Sequence, residues 1–231
     1  LILWIWSMTA GKAYADTDYR GAVTSYHRQG QVSEIFPEPW KAPYNEGTSS
    51  LALAEYDSAI DLLKTALDRV PEAGVSETGS KHPDAPECLV RTNLSLAYEG
   101  EADQFRANGD LDGAIASYNL AMDSVGPCST DGQSLAPTKL ADLNEPVQNY
   151  QDETEQRQLT KRDATQDEKD SGDDPSSPES SPEQSPEQDP SGGETTSEDP
   201  RVQELISINE QAGRGAGSGG GGSGSGGGQG W

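Results

Sequence analysis

The chain is poor in the side chains that most enzymes use to bind metals or to act as nucleophiles. It has two cysteines and two histidines among 231 residues. No CxxC pair occurs, so no zinc site of the usual spacing fits. The GxSxG, HExxH and Walker A motifs are also missing from the sequence. The sequence therefore favours a protein that is not an enzyme and that needs no metal or cofactor.

Basic residues are scarce as well. The chain has 16 Lys and Arg against 40 Asp and Glu, which gives a formal net charge of −24. Nucleic-acid binding and attraction to anionic lipid both need a basic surface, so the charge argues against both. Acidic residues on predicted helices are interpreted as solvated faces. The excess of acid either only keeps the protein soluble or attracts a basic partner.

Apolar side chains make up only 31% of the chain, and mean hydropathy is −0.79. The shortage lies towards the C-terminus, where burial cannot offset the entropy of ordering the chain. We predict a helical domain over 5–145, a disordered Ser/Pro/Glu linker over 169–200 and a flexible Gly/Ser-rich tail over 213–231. The pattern of apolar residues in 201–212 predicts a short amphipathic helix. This helix is either a recognition element on a tether or a transient helix without a target.

Residues 44–71 carry the spacing of two antiparallel helices that cross closely. Gly47, Ala59 and Ala66 are small enough for close approach, Leu63 fills the gap, and Pro71 ends the second helix. This pattern resembles the tetratricopeptide (TPR) repeat, whose unit of ~34 residues is a helical hairpin. A TPR unit is a binding surface and performs no chemistry.

Two further copies of this pattern are present. Residues 108–121 repeat the loop and second helix, and the helix before them is about two turns longer than usual. A weaker copy opens the chain. We therefore predict an all-α fold, a TPR-like array with hairpins at about 5–28, 43–70 and 88–125 stacked side by side. A helix over 146–168, with Pro146 in its first turn, is expected to cap the array.

The N-terminal residues 1–6 form an apolar run that contains Trp4 and Trp6. The chain does not begin with Met, so we expect further residues upstream. Residues 1–15 are then the end of a membrane anchor that merges into the first helix, with the tryptophans at the membrane interface. The alternative is that they are only the first helix of the array, packed on Tyr19 and Ala22.

The two cysteines are expected to form a disulfide. Cys88 begins the first helix of the last hairpin, and Cys128 follows the second. The start of one helix lies near the end of the other in an antiparallel pair, so the two thiols meet. A disulfide requires an oxidising compartment. The alternative is two unrelated buried thiols.

A closer resemblance involves residues 39–48, 88–99 and 126–128, together with Leu205, Asn209, Ala212 and Trp231. These segments resemble a bacterial family of membrane-anchored TPR proteins encoded beside MoxR-type ATPases and von Willebrand factor A-domain membrane proteins, as in Bat-like clusters. The resemblance implies an extracytoplasmic scaffold at the cell membrane, with a von Willebrand factor A-domain protein as a candidate partner.

The first helices of a TPR array line its inner surface, which is where we expect a protein or peptide partner to bind. The candidate residues are Lys41, Tyr44, Asn45, Thr48, Arg91 and Asn93. Alternatively, Asn45 and Asn93 only bond nearby backbone, and Arg91 pairs with Glu87 four residues earlier. The competing functions are a soluble intracellular TPR adaptor with an acidic solubilising tail and a spacer between membrane and envelope.

Overall fold

A computed structural model describes residues 2–32, 38–75, 79–83, 85–128 and 141–172. The predicted all-α class is confirmed for these residues, which contain helices and no strand. One isolated bridge pairs Val75 with Lys81. The helices are α1 (Ile2–Ala15), α2 (Tyr19–Gly30), α3 (Lys41–Ala52), α4 (Tyr56–Leu67), α5 (Pro86–Ala107), α6 (Leu111–Val125) and α7 (Ala141–Gly172), with a short 3-10 helix at Gly126–Cys128.

Each helix packs on the next one in the chain, and α3 also packs on α5. Short connections join α1 to α2, α3 to α4 and α5 to α6, so these pairs are antiparallel hairpins. Their bounds, 2–30, 41–67 and 86–125, agree with the three intervals predicted from the sequence to within three residues. Helix α7 packs on α6 and reaches α5, so it covers the end of the row.

The crossing points are built from small residues. Ala22, Ala59 and Ala114 occupy equivalent places in the second helices of the three hairpins, and each is 0% exposed. A Cβ atom on Gly47 would lie 2.9 Å from Leu63 Cγ, so α3 and α4 approach there only because residue 47 is glycine. This close approach is the one that the spacing of residues 44–71 predicts.

Two of the second helices begin with the same side-chain cap. The Asp18 carboxylate accepts the Gly21 N–H at 3.0 Å, and the Asp110 carboxylate accepts the Gly113 N–H at 2.9 Å. Each bond satisfies one of the backbone donors that a helix start leaves open. The recurrence of Asp-x-x-Gly therefore marks where α2 and α6 start.

The N-terminal helix α1 buries Ala10 against Ala22 and Tyr26 of α2, and the rings of Tyr14 and Tyr19 meet edge to face at 5.2 Å. Among the described residues, no helix combines the length and the apolar character that a membrane span needs.

The C-terminal boundaries differ in part from the sequence prediction. Helix α7 begins at Ala141, so Pro146 is not in its first turn, and it continues to Gly172 where a linker was expected from 169. At the C-terminal end Lys169 pairs with Asp112 and the Ser171 hydroxyl bonds the Asp167 carbonyl oxygen, contacts that give no apolar signal in the sequence. The rest of the linker, the helix at 201–212 and the tail at 213–231 lie outside the described residues.

Candidate functional site

Three of the candidate partner-binding residues are buried together between α3 and α5. Tyr44, Thr48 and Asn93 are 6%, 2% and 0% exposed. Asn93 Nδ2 donates to Thr48 Oγ1 at 2.9 Å, and Thr48 Oγ1 donates to the Tyr44 carbonyl oxygen at 2.8 Å. Burial raises the pKa of the Tyr44 hydroxyl, an effect that hydrogen bonds with Asn93 and Thr48 partly offset. In this structure these residues join two helices and are not presented to solvent.

The other three candidates lie at the edge of this contact and are half-buried. Lys41 Nζ is 2.7 Å from Glu38 Oε2 and 5.7 Å from the centre of the Trp40 ring. Arg91 Nε donates to Glu87 Oε1 at 2.7 Å, which is the pairing that the sequence offered as the alternative to a binding role. Lys41 and Arg91 keep 33% and 21% of their side chains exposed, so a partner could reach both.

Glu87 is the hub of a buried ionic cluster beside these residues. Its side chain is 6% exposed, and it accepts from Lys81 Nζ at 2.8 Å and from the Ala73 N–H at 2.7 Å as well as from Arg91. Burial alone would raise the pKa of the Glu87 carboxyl, but the donors outweigh it and the pKa is lowered. Glu87 therefore remains ionised and holds Arg91 in place.

The disulfide lies at the same end of the third hairpin. Cys88 and Cys128 are bonded with their Cα atoms 5.7 Å apart, so the predicted pairing is confirmed. Both residues are 0% exposed. The Lys81 N–H donates to the Pro127 carbonyl oxygen at 2.8 Å, which ties the segment before α5 to the residues around Cys128.

A second buried carboxylate, Glu99 of α5, is held entirely by α7. Its side chain is 1% exposed. Arg157 makes two parallel bonds to it, at 3.0 and 2.9 Å, and Lys161 Nζ lies 2.8 Å from its Oε1. Burial by itself raises the pKa of the Glu99 carboxyl, but the two cations outweigh it and lower the pKa to about 2.

Further polar contacts continue along the boundary between α5 and α7. Gln151 Nε2 donates to Thr92 Oγ1 at 3.2 Å, and Gln158 Nε2 donates to Ser95 Oγ at 2.7 Å. Lys161 Nζ also lies 2.8 Å from Asp103 Oδ2. The contact between these two helices is thus a row of hydrogen bonds and ion pairs.

Sequence reasoning missed Glu99 and its partners on α7. Helical acidic residues were interpreted as solvated faces, and the partners of Glu99 are 58 or more residues away along the chain. One signal was available. The buried positions described in α7, residues 151, 154, 158 and 165, lie three, four and seven residues apart, as in a helix that packs along one seam, although the residues there are polar.

Within the part of the chain that the structure describes, no group of three or more His, Cys, Asp or Glu side chains is arranged to hold a metal ion. No protein-family model, curated protein or solved structure matches this chain. The comparisons therefore assign it to no family.

Proposed function

We propose that this chain is a non-enzymatic scaffold for protein–protein interaction, built from TPR-like helical hairpins. The observation that carries the proposal is the direct packing of α3 on α5, the first helices of successive hairpins. Helices stacked in this way form a continuous surface that can bind an extended or helical segment. Lys41, Asn45 and Arg91 are the candidate residues that remain accessible on it.

The proposed location is the extracytoplasmic face of the cell membrane. The Cys88–Cys128 disulfide supports it, because such bonds persist in oxidising compartments. The family resemblance supports attachment through the N-terminal helix and a von Willebrand factor A-domain membrane protein as partner. An intracellular adaptor would contain two free thiols, so mass analysis of native protein under non-reducing conditions separates the two locations.

The partner site is tested by recovering proteins from detergent-solubilised membranes with the full chain. The double substitution Lys41→Gln and Arg91→Gln removes the two cations of the candidate site, while Glu87 keeps its bonds to Lys81 and Ala73. We expect partner recovery to fall at least about fivefold, which is a change of ~1 kcal/mol in binding. Arg28→Gln, at an exposed position of α2, is the matched control and should leave recovery unchanged. Equal recovery with all three proteins, each equally stable to heat, would remove this site from consideration.

A further inference from the structure

Helix α7 is docked through a face that is polar along its described length. From Tyr150 onward, where its side chains are described, the fully buried ones are Gln151, Thr154, Gln158 and Thr165, each at most 1% exposed. A helix that docks permanently on a protein core normally uses apolar residues at such positions. The larger apolar side chains of this region, Tyr150 and Leu159, are only partly buried. The docking of α7 thus depends on hydrogen bonds and ion pairs.

Polar docking makes α7 easier to displace than an apolar helix. The groups on both sides of the contact form hydrogen bonds with water once they separate, so the cost of desolvating them offsets much of what each contact contributes. Among the described side chains of α7, from Tyr150 onward, no large apolar one is fully buried, so the apolar contribution of this part is small. Separation of α7 from α5 is therefore compatible with an intact third hairpin, which its disulfide holds together independently.

The α5 surface beneath α7 has a definite chemical requirement. Within the part of the chain that the structure describes, the hydrogen-bonding partners of Glu99 come from α7: Arg157, Gln158 and Lys161. Asp103 lies one turn further along and shares Lys161, which contacts both of its carboxylate oxygens, and its Oδ1 also accepts from the Tyr118 hydroxyl. Without α7, the Glu99 carboxylate would lose its bonds to these three residues and the Asp103 carboxylate would lose Lys161.

We propose that the α5 surface formed by Thr92, Ser95, Glu99 and Asp103 is a docking site for a helix of a partner protein, and that α7 occupies it as an internal ligand. The partner helix is basic and carries Arg, Gln and Lys in the arrangement of Arg157, Gln158 and Lys161. Arg is required for the two parallel bonds to Glu99, and Lys four residues later reaches both carboxylates. The net charge of −24 attracts such a helix. The inference rests on the proposed scaffold function but concerns a different surface from Lys41 and Arg91.

The test uses a fluorescently labelled synthetic peptide of residues 141–172 and the full chain. In the chain, Arg157→Gln together with Lys161→Gln weakens the internal ligand and leaves Glu99 in place. We expect this variant to bind the peptide at least about tenfold more tightly than the wild-type chain, measured by fluorescence anisotropy. A peptide with the same two substitutions should lose at least about tenfold in affinity. A peptide with Arg162→Gln is the matched control and should bind normally, because the contacts described for Arg162 are with its neighbour Asp163.

Hydrogen exchange identifies where the peptide binds. The substituted α7 of the chain differs in mass from the peptide, so the two are followed separately. Peptide binding should leave the chain's own α7 exchanging rapidly while α5 and α6 stay protected. If the substituted chain fails to fold, the wild-type chain at increasing salt serves instead: α7 should exchange faster than α5, and more so as salt rises.

Three results would overturn the proposal. The first is equal peptide affinity for the wild-type and substituted chains when both are folded. The second is an α7 that exchanges as slowly as α5 at high salt. The third is a dimer formed by exchange of α7 between copies, which would assign the surface to a second copy of this chain. None of these results depends on the Lys41 and Arg91 experiment, so the two proposals fail separately.

Discussion

Replacing Glu99 by Gln removes one charge from the α5–α7 contact and keeps the shape of the side chain. The amide that replaces the carboxylate carries donors of its own, and these would face the donors of Arg157 and Lys161. Asp103 remains to pair with Lys161, whereas Arg157 loses its two bonds to Glu99. The substitution thus tests how much of the docking of α7 depends on a single anion.

The magnitude follows from the pKa of Glu99, which is lowered from 4.5 to about 2. Each unit corresponds to ~1.4 kcal/mol, so the ionised carboxylate stabilises the folded state by about 3 kcal/mol at neutral pH. Arg157 and Lys161 keep 35% and 31% of their side chains exposed and can regain water, which reduces the loss. We expect Glu99→Gln to weaken the docking of α7 by about 2–3 kcal/mol.

Native-state hydrogen exchange measures this loss directly. A change of 2–3 kcal/mol should accelerate exchange of the α7 amides by roughly 30- to 150-fold and leave α3 and α4 unchanged. Glu153→Gln, at an exposed position of α7, is the control and should change exchange less than about threefold. An effect of Glu99→Gln no larger than this control would show that the buried ion pairs do not hold α7, and the reasoning would be wrong.

Three further predictions concern the same domain. Acidification should release α7 between pH 4.5 and about 2. The Glu99 carboxylate has a lowered pKa, so it stabilises the folded state above its unfolded pKa and loses that effect as it is protonated. Glu99→Gln should abolish this transition in a pH series of hydrogen exchange. Cys128→Ser opens a loop with a sequence separation of 40 residues and should cost about 4 kcal/mol of unfolding free energy in non-reducing denaturant titrations, and an unchanged midpoint would contradict it. Gly100→Ala places a Cβ atom 2.1 Å from the Tyr56 ring and should lower the free energy of unfolding by about 2–3 kcal/mol in the same titration. Gly172→Ala is the control: its Cβ atom would have nothing within 4 Å, so the free energy of unfolding should change by less than about 0.5 kcal/mol.

The hairpins could be predicted because their signals are local. The glycine at 47 and the alanines at 59 and 66 are spaced as two crossing helices require, and the positions that meet are less than twenty residues apart. The disulfide followed from the same geometry, since Cys88 and Cys128 flank one hairpin. Patterns of this kind need no knowledge of other parts of the chain.

The roles of polar residues could not be predicted so well, because they depend on partners that are distant in sequence. Asn93 was expected on a binding surface, but it lies fully buried and bonds Thr48, 45 residues earlier. Arg91 pairs with Glu87, which is the arrangement predicted as the alternative to a role in binding. Glu99 gave no local signal, because a carboxylate on a helix has the same sequence context whether it faces water or an arginine.

The position of the disulfide determines how the chain responds to mechanical tension. Cys88 and Cys128 enclose α5 and α6, whereas α1 to α4 lie before the bridge and α7 lies after it. A force applied to the two ends of the chain passes through the bridge and cannot extend the residues inside it. At ~3.5 Å per extended residue, this withholds roughly 140 Å of contour length. Stretching would therefore extend the flanking helices and leave the third hairpin as a link of fixed length, which only reduction of the disulfide could release.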